Sequence, residues 1–288
     1  MQELYVKYKG LLFKLAYQLT GSVSDAEDVV QDVFVKAYNV PPEKMTEPKA
    51  YLCKMVTNRC RDLQKSARKQ REQYFGEWLP EPFMPTELDS MESVVHDDLL
   101  SYAMLVLLER LSTSERIVFV LREALGFDYN EIAELIGKSE VNCRKLLSRA
   151  SAKMGVTSEK SIHPEAASME WVGDFMTALK QGDMNQLISL LDPNVVLVSD
   201  GGGKVLAAVN PIITRDRVVS FLLGTLRKTA TIGGDVVIEV AYMNGQPGIV
   251  LRSEDGRVHT VGMLDFEENV IRNIYFVRNP DKLKYVNE

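Results

Sequence analysis

In the stretch SVSDAEDVVQDVF, residues 22–34, acids recur at steps of three and four. Asp25, Asp28, Gln31 and Asp32 share one helical face, with Val35 beside them. The opposite face is apolar: Ala26, Val29, Val30, Val33, Phe34, Ala37 and Tyr38. Carboxylates in a first turn complement the helix dipole, which accounts for Asp25 and Glu27. It does not account for Asp32, nor for an apolar residue left among the acids. An acidic face with an apolar centre suits docking on a basic protein surface and repels DNA.

Two later stretches carry the opposite chemistry. Between residues 48 and 72, Leu52, Met55, Val56, Cys60 and Leu63 form one face of a helix. Asn58, Arg61, Asp62, Lys65, Arg68 and Lys69 form another, able to neutralise phosphates along a strand. Asn58 and Asp62 have the groups to hydrogen-bond to bases, and Tyr51 can stack on an unpaired one. A solvated charged face is the plainer alternative. The second stretch is YNEIAELIGKSEVNCRKLLSRASAKM. Ala133, four residues before Gly137, lets two helices cross closely, as in a helix-turn-helix. Ser139 would cap the second helix, whose outward residues Glu140, Asn142, Arg144 and Lys145 would enter a major groove, with Arg149 near phosphates. A helical hairpin without DNA is the alternative.

These faces need elements to hold them. The chain has 288 residues, 45% hydrophobic and 26% charged, which fits a globular protein of two or more domains. No apolar run is long enough for a bilayer, and MQELYVKYKG lacks a signal-peptide core, so a cytoplasmic location is expected. Three scattered cysteines, Cys53, Cys60 and Cys143, with His96, His163 and His259, offer no metal-ligand spacing, so neither metal nor cofactor is expected. The net charge of −6 is unusual for a free-standing DNA binder and points to DNA affinity assisted by a partner. Residues 1–72 read as helical: a stripe from Leu4 to Leu19, a break at Gly21, then a helix start signalled by Ser24 and Glu27. Residues 73–91 form a linker rich in proline and acid. Residues 92–155 are helical again, with capping boxes at Ser112/Glu115 and Asp128/Glu131.

Residues 165–288 change character. Two helices precede NVVLVS and KVLAAV, which read as strands on either side of a glycine turn. A helix, TRDRVVSFLLGTLRK, and four β-rich runs follow, with turns at Asn244-Gly245, Asp255-Gly256 and Glu268-Asn269. An α+β domain with a curved, mostly antiparallel sheet is expected. DGGGK lacks the GxxxxGK[ST] pattern of a phosphate loop and reads as a hairpin turn needing positive φ. Asp200, Tyr242, His259 and Asp265 are the acid–base candidates, but their spacing forms no dyad, and no enzymatic activity is expected.

GLLFKLAYQLTGSVSDAEDVVQDVFVKAY resembles region 2 of bacterial extracytoplasmic-function sigma factors, and PKAYLCKMVTNRCRDLQKSARKQ resembles its continuation. LLERLSTSERIVFVLREALGFDYNEIAELIGKSEVNCRKLLSRA is similar to region 4. The remainder resembles a SnoaL-like (nuclear-transport-factor-2-like) cone, which implies the subgroup carrying that C-terminal extension. WLPEP (Trp78, Leu79, Pro80, Glu81, Pro82), DGGGK (Asp200, Gly201, Gly202, Gly203, Lys204) and NPDKL (Asn279, Pro280, Asp281, Lys282, Leu283) support the placement. The resemblance implies an alternative sigma factor whose partners are core RNA polymerase and promoter DNA. Asp25, Asp28, Gln31, Asp32 and Val35 would grip polymerase; the helix from Asn58 to Lys69 would capture the −10 element; Ser139 to Lys153 would lie on the −35 element. It also implies regulation in cis, with the three short motifs in intramolecular contact, in a chain expected to be monomeric when free and away from membranes. Two other readings stay open: a dimeric helix-turn-helix repressor with a ligand-sensing domain, and an enzyme fused to a DNA-binding module.

Overall fold

A computed structural model describes residues 2–41, 43, 45–71, 73–84, 100–155, 169–232 and 236–287, without the side chains of 65–71, 170 and 228–232. The chain divides into two compact units: Met1–Glu72 with Thr86–His163, and Gln73–Pro85 with Pro164–Glu288. The segment 73–84, read from sequence as a linker, therefore clusters with the C-terminal residues. Residues 85–91 of that linker and 92–99 of the next helical stretch lie outside the described residues.

The first unit is helical. Helices α1 (Gln2–Thr20), α2 (Val23–Tyr38) and α3 (Pro48–Arg71) enclose a core that includes Leu12, Leu15, Leu19, Val29, Val33, Leu52 and Val56. Helix α2 starts earlier than the Ser24/Glu27 pair predicts. Ser22 is the extended residue (φ −131°), and its hydroxyl accepts from the Asp25 N–H at 3.1 Å. Gly21, at φ 70°, has just ended α1, so the first residue able to cap is the one after it. Helices α4 (Tyr102–Leu108) and α5 (Thr113–Phe119) follow, the latter running into a π-turn at Val120–Ala124. Then come α6 (Tyr129–Ile136) and α7 (Glu140–Met154). Both predicted capping boxes are formed, Ser112/Glu115 and Asp128/Glu131. Gly137 turns the chain at φ 67° and Ser139 caps α7.

The two halves of this unit pack together, a point on which the sequence is silent. Arg116, 3% exposed, donates from Nε to the Gln18 carbonyl at 3.0 Å and pairs through Nη1 with Glu109 at 2.6 Å. Lys49, in the first turn of α3, lies 4.7 Å from the Phe127 ring just before α6. Cys53, Cys60 and Cys143 are buried free thiols. Burial pushes Cys53 and Cys60 up to about 12, which keeps both protonated and unreactive.

The second unit is α+β. Helices α8 (Met169–Gln181) and α9 (Met184–Leu190) lead into β1 (Leu191–Asp200). Strand β2 (Ile212–Ile213), helix α10 (Arg215–Ile232) and strands β3 (Val237–Met243), β4 (Gln246–Arg252), β5 (Val258–Glu267) and β6 (Val270–Val277) complete it. The sheet order is β2-β1-β6-β5-β4-β3, antiparallel throughout except for the parallel pair β1/β6. Helices α8, α9 and α10 bury Phe175, Leu187, Val218 and Leu222 against Leu197, Ile249 and Ile274 of the sheet. The expected strand KVLAAV is not formed. Gly202 and Gly203, at φ 60° and 70°, turn the chain so that Lys204 N–H and Val205 N–H both return to the Gly201 carbonyl. The chain leaves β1 instead of folding back along it, and the antiparallel neighbour is the two-residue β2, with Val196 opposite Ile213. The other three turns form as read: Asn244-Gly245 and Glu268-Asn269 take successive positive φ, and Gly256 has φ 81°. Among the described residues no helix is long and apolar enough to cross a membrane.

Candidate functional site

Beta strands β1 and β6 end side by side in parallel, with Asp200 opposite Val277. The Asp200 carbonyl accepts from the N–H groups of Arg278 and Asn279, at 2.8 and 2.9 Å. DGGGK and NPDKL, 77 residues apart from Lys204 to Asp281, thus leave the sheet from one place. Between them sits the segment carrying WLPEP.

Asp200 is fully buried and its carboxylate accepts four hydrogen bonds. Oδ1 takes the Tyr74 hydroxyl at 2.6 Å and the Gly202 N–H at 3.0 Å. Oδ2 takes the Leu79 N–H at 2.9 Å and the Lys282 ammonium at 2.7 Å. Lys282, 7% exposed, also donates to the Leu79 carbonyl at 2.5 Å. Both backbone groups of Leu79 are therefore held by one buried ion pair. The ammonium lies 3.9 Å from the Trp78 ring centroid and 5.0 Å from that of Tyr74, so two aromatic faces share its charge. A buried ion pair survives desolvation only with such additional partners. Burial and the Asp200 carboxylate push the Tyr74 hydroxyl above its ordinary value, so it remains a donor. Asn279, 4% exposed, donates to the Tyr74 oxygen at 2.8 Å and accepts from the Asp281 N–H at 3.1 Å, capping the 3₁₀ turn Pro280–Leu283. Lys204 pairs with Asp281 at the exposed rim, holding that carboxyl below its ordinary range.

The segment is fastened again four residues on. The Phe83 N–H donates to Asn244 Oδ1 at 2.9 Å, and the Asn244 N–H donates back to the Phe83 carbonyl at 2.9 Å. Leu79, Pro80, Pro82 and Phe83 are buried, while Trp78 and Glu81 are half-buried. Leu283 is buried too, and Pro280 is exposed. Sequence reading missed Tyr74, Phe83 and Asn244. The last was read only as a turn former; its pairing with a residue 161 positions away leaves no local trace.

The glycines are part of the grip. A Cβ on Gly202 would stand 2.3 Å from Asn279 Nδ2, and one on Gly203 would meet the Phe75 side chain at 3.2 Å. Gly202→Ala is expected to destabilise the C-terminal unit by about 1–3 kcal/mol, from positive φ and the clash together. Gly256→Ala, at φ 81° with no atom within 4 Å of the new Cβ, isolates the backbone strain at about 1 kcal/mol. Urea unfolding of the two variants compares them; equal losses would show that the Asn279 contact is not tight.

On α2, Asp28, Gln31 and Val35 are exposed, Val35 by 69%. Asp25 and Asp32 are half-buried, and Asp32 is held by Arg59 of α3 at 3.0 Å. The acidic face exists, but one of its carboxylates is already partnered. On α3, Asn58 and Asp62 are exposed, and Tyr51 and Arg61 half-buried; the side chains of Lys65, Arg68 and Lys69 lie outside the described residues. On α7, Ser139, Glu140, Asn142, Arg144, Lys145 and Arg149 are all exposed, whereas Cys143, Leu146 and Ala150 face the core. Arg144 pairs with Glu140 at 3.6 Å and stacks on Tyr129 at 4.0 Å, which pre-orders its guanidinium.

The acid–base candidates do not converge. Asp200 is consumed by the ion pair. Tyr242 is exposed and donates to the Gly245 carbonyl; Asp265 accepts from Asn273 at 2.6 Å. His259 has its Nδ1 3.0 Å from Thr260 Oγ1, with Arg278 nearby.

Two family models match the chain: Sigma-70 region 2 over residues 4–71 and Sigma-70, region 4 over residues 101–154. The chain is 34% identical over 288 residues to the ECF RNA polymerase sigma factor SigJ of Mycobacterium tuberculosis, covering 94% of this chain and 89% of that one. It is 29% identical over 278 residues to the probable ECF RNA polymerase sigma factor SigI of the same species, covering 96% and 92%. The crystal structure of M. tuberculosis SigJ aligns with a TM-score of 0.79 at 29% sequence identity, over 99% of both chains.

Proposed function

The chain belongs to the extracytoplasmic-function RNA polymerase sigma factors, as an alternative sigma factor for transcription initiation, and on that premise we propose that its SnoaL-like unit regulates it in cis by fixing the segment 74–83. The observation that carries this reading is the Asp200–Lys282 pair closed on both backbone groups of Leu79. The segment lies in sequence between regions 2 and 4, so whatever holds it limits how far apart those regions can be placed. A tethered partner acts at about millimolar effective concentration, so even a modest interface keeps the segment bound.

In this reading the exposed acids and Val35 of α2 meet a basic surface on core polymerase, α3 takes the −10 element and α7 the −35 element. The packing of Arg116 on Gln18 supports a free form in which the two DNA-reading halves are closed together, to be separated on polymerase. The engagement of Asp200, Tyr242 and Asp265 in structural hydrogen bonds supports a non-enzymatic role for the C-terminal unit. Monomeric behaviour and a cytoplasmic location belong to the same proposal.

Run-off transcription with core polymerase tests it. Asn279→Ala, which removes the Tyr74 contact and the cap of the 3₁₀ turn, is expected to change promoter-dependent output by about threefold or more. Output indistinguishable from the parent chain, with Trp78 released, would defeat regulation through this segment.

A further inference from the structure

A cavity of about 80 Å³, partly open to solvent, enters the C-terminal unit between α8, α10 and the sheet. Its walls are apolar: Phe175, Leu179, Phe221, Leu226, Ile249 and Phe276 are typical. One end is polar, formed by Ser199, His259, Thr260 and Arg278. Arg278 lines this end; its Nε is buried and, among the described residues, finds no hydrogen-bond acceptor, while Nη1 donates to the Leu206 carbonyl. No acidic side chain is among the described lining residues. Burial, then the neighbouring Arg278, holds His259 below its ordinary pKa, so the imidazole is neutral at pH 7. A buried guanidinium nitrogen with neither counter-ion nor acceptor is costly, and an anion offering a planar pair of oxygens relieves that cost best.

We propose that this cavity is a binding site for a small organic carboxylate. Its hydrocarbon part lies against the phenylalanines and leucines, and its carboxylate accepts from the Arg278 guanidinium, flanked by Ser199, Thr260 and the neutral His259. The volume favours a short chain whose far end reaches the solvent-facing mouth, since a dry cavity of about 150 Å³ takes a benzene ring. The apolar walls disfavour inorganic phosphate, whose charge would need several more donors. The site goes beyond cis-regulation and does not depend on it, but it adjoins the grip on Leu79. Ser199 and Arg278 are the chain neighbours of Asp200 and Asn279, and the Arg278 N–H donates to the Asp200 carbonyl at 2.8 Å.

Calorimetric titration of the full chain with hexanoate, and with hexanamide as its uncharged counterpart, tests the proposal. Hexanoate is expected to bind saturably and about tenfold or more tighter than hexanamide, the ratio an ionic hydrogen bond to arginine supplies. Arg278→Gln is expected to erase that ratio. Leu226→Phe, which fills the cavity without touching the arginine, is expected to weaken both ligands, and it decides the matter should Arg278→Gln not fold. Absence of saturable hexanoate binding, equal affinity for the amide, or indifference to Leu226→Phe overturns the site. In a Trp171→Phe chain, emission from Trp78 reports the grip separately. Hexanoate binding with no change in that emission keeps the site and rejects its link to the segment, so failure of the one is not failure of the other.

Discussion

Asp28→Lys combined with Val35→Asp is expected to weaken capture of core RNA polymerase by about a hundredfold, with secondary structure and unfolding midpoint unchanged. The two residues are exposed on the same face of α2 and contribute nothing to the buried stripe of Ala26, Val29, Val30 and Val33. The first change would place a cation against the basic surface proposed to meet α2; the second would put an unpaired charge where the proposed contact has its apolar centre. Asp32 is left alone deliberately. Its carboxylate is 3.0 Å from Arg59, and a lysine there would set two cations together between α2 and α3. Loss of binding could then follow from loss of packing. Fluorescence anisotropy of labelled protein titrated with core enzyme measures the effect. Affinity within about threefold of the parent would remove α2 as the polymerase-binding face.

Asp200→Ala is the second change with a large expected effect. It deletes a fully buried carboxylate and leaves the Lys282 ammonium, 7% exposed, with one carbonyl and two ring faces. Breaking one side of a buried pair costs about 3–5 kcal/mol, because the surviving charge is uncompensated. Tyr74 and the Leu79 N–H lose their acceptor in the same step. Urea unfolding of the C-terminal unit should register the loss, and Trp78 emission in a Trp171→Phe background should move to the red as the segment leaves. The double variant Asp200→Ala with Lys282→Met should lose markedly less than the sum of the two single changes, since it removes both charges. A loss below about 1 kcal/mol for Asp200→Ala, or strict additivity in the double variant, would mean the pair does not hold the segment.

Several features of this protein are written locally. The capping boxes Ser112/Glu115 and Asp128/Glu131, the cap at Ser139, the turn at Gly137 and the β-turns at Asn244-Gly245 and Glu268-Asn269 depend on neighbours a few residues away. So do the exposed faces of α2 and α7, because helical periodicity alone separates Val29 and Val33 from Asp28, and Cys143 and Leu146 from Arg144 and Lys145. The family resemblance rests on the same local patterns. Where two local signals compete, the sequence misleads by two residues: Ser22 and Ser24 are both fit to cap α2, and the position of Gly21 gives the role to Ser22.

The site itself was decided in three dimensions. Asp200 reads as a turn residue or a candidate acid, because hydrogen bonds to residues 121 and 126 positions away leave no periodic mark. KVLAAV has the composition of a strand, yet β6 already occupies the inner edge of β1 in parallel, and two glycines at positive φ carry the chain away. Composition assigns segment 73–84 to a linker; burial of Leu79, Pro80 and Phe83 makes it part of the C-terminal unit. Local propensity fixes the helices, their caps and which of their faces stay wet. The partner of a buried charge is chosen only when distant strand ends are brought within hydrogen-bonding reach, since desolvation leaves that charge no other way to be satisfied.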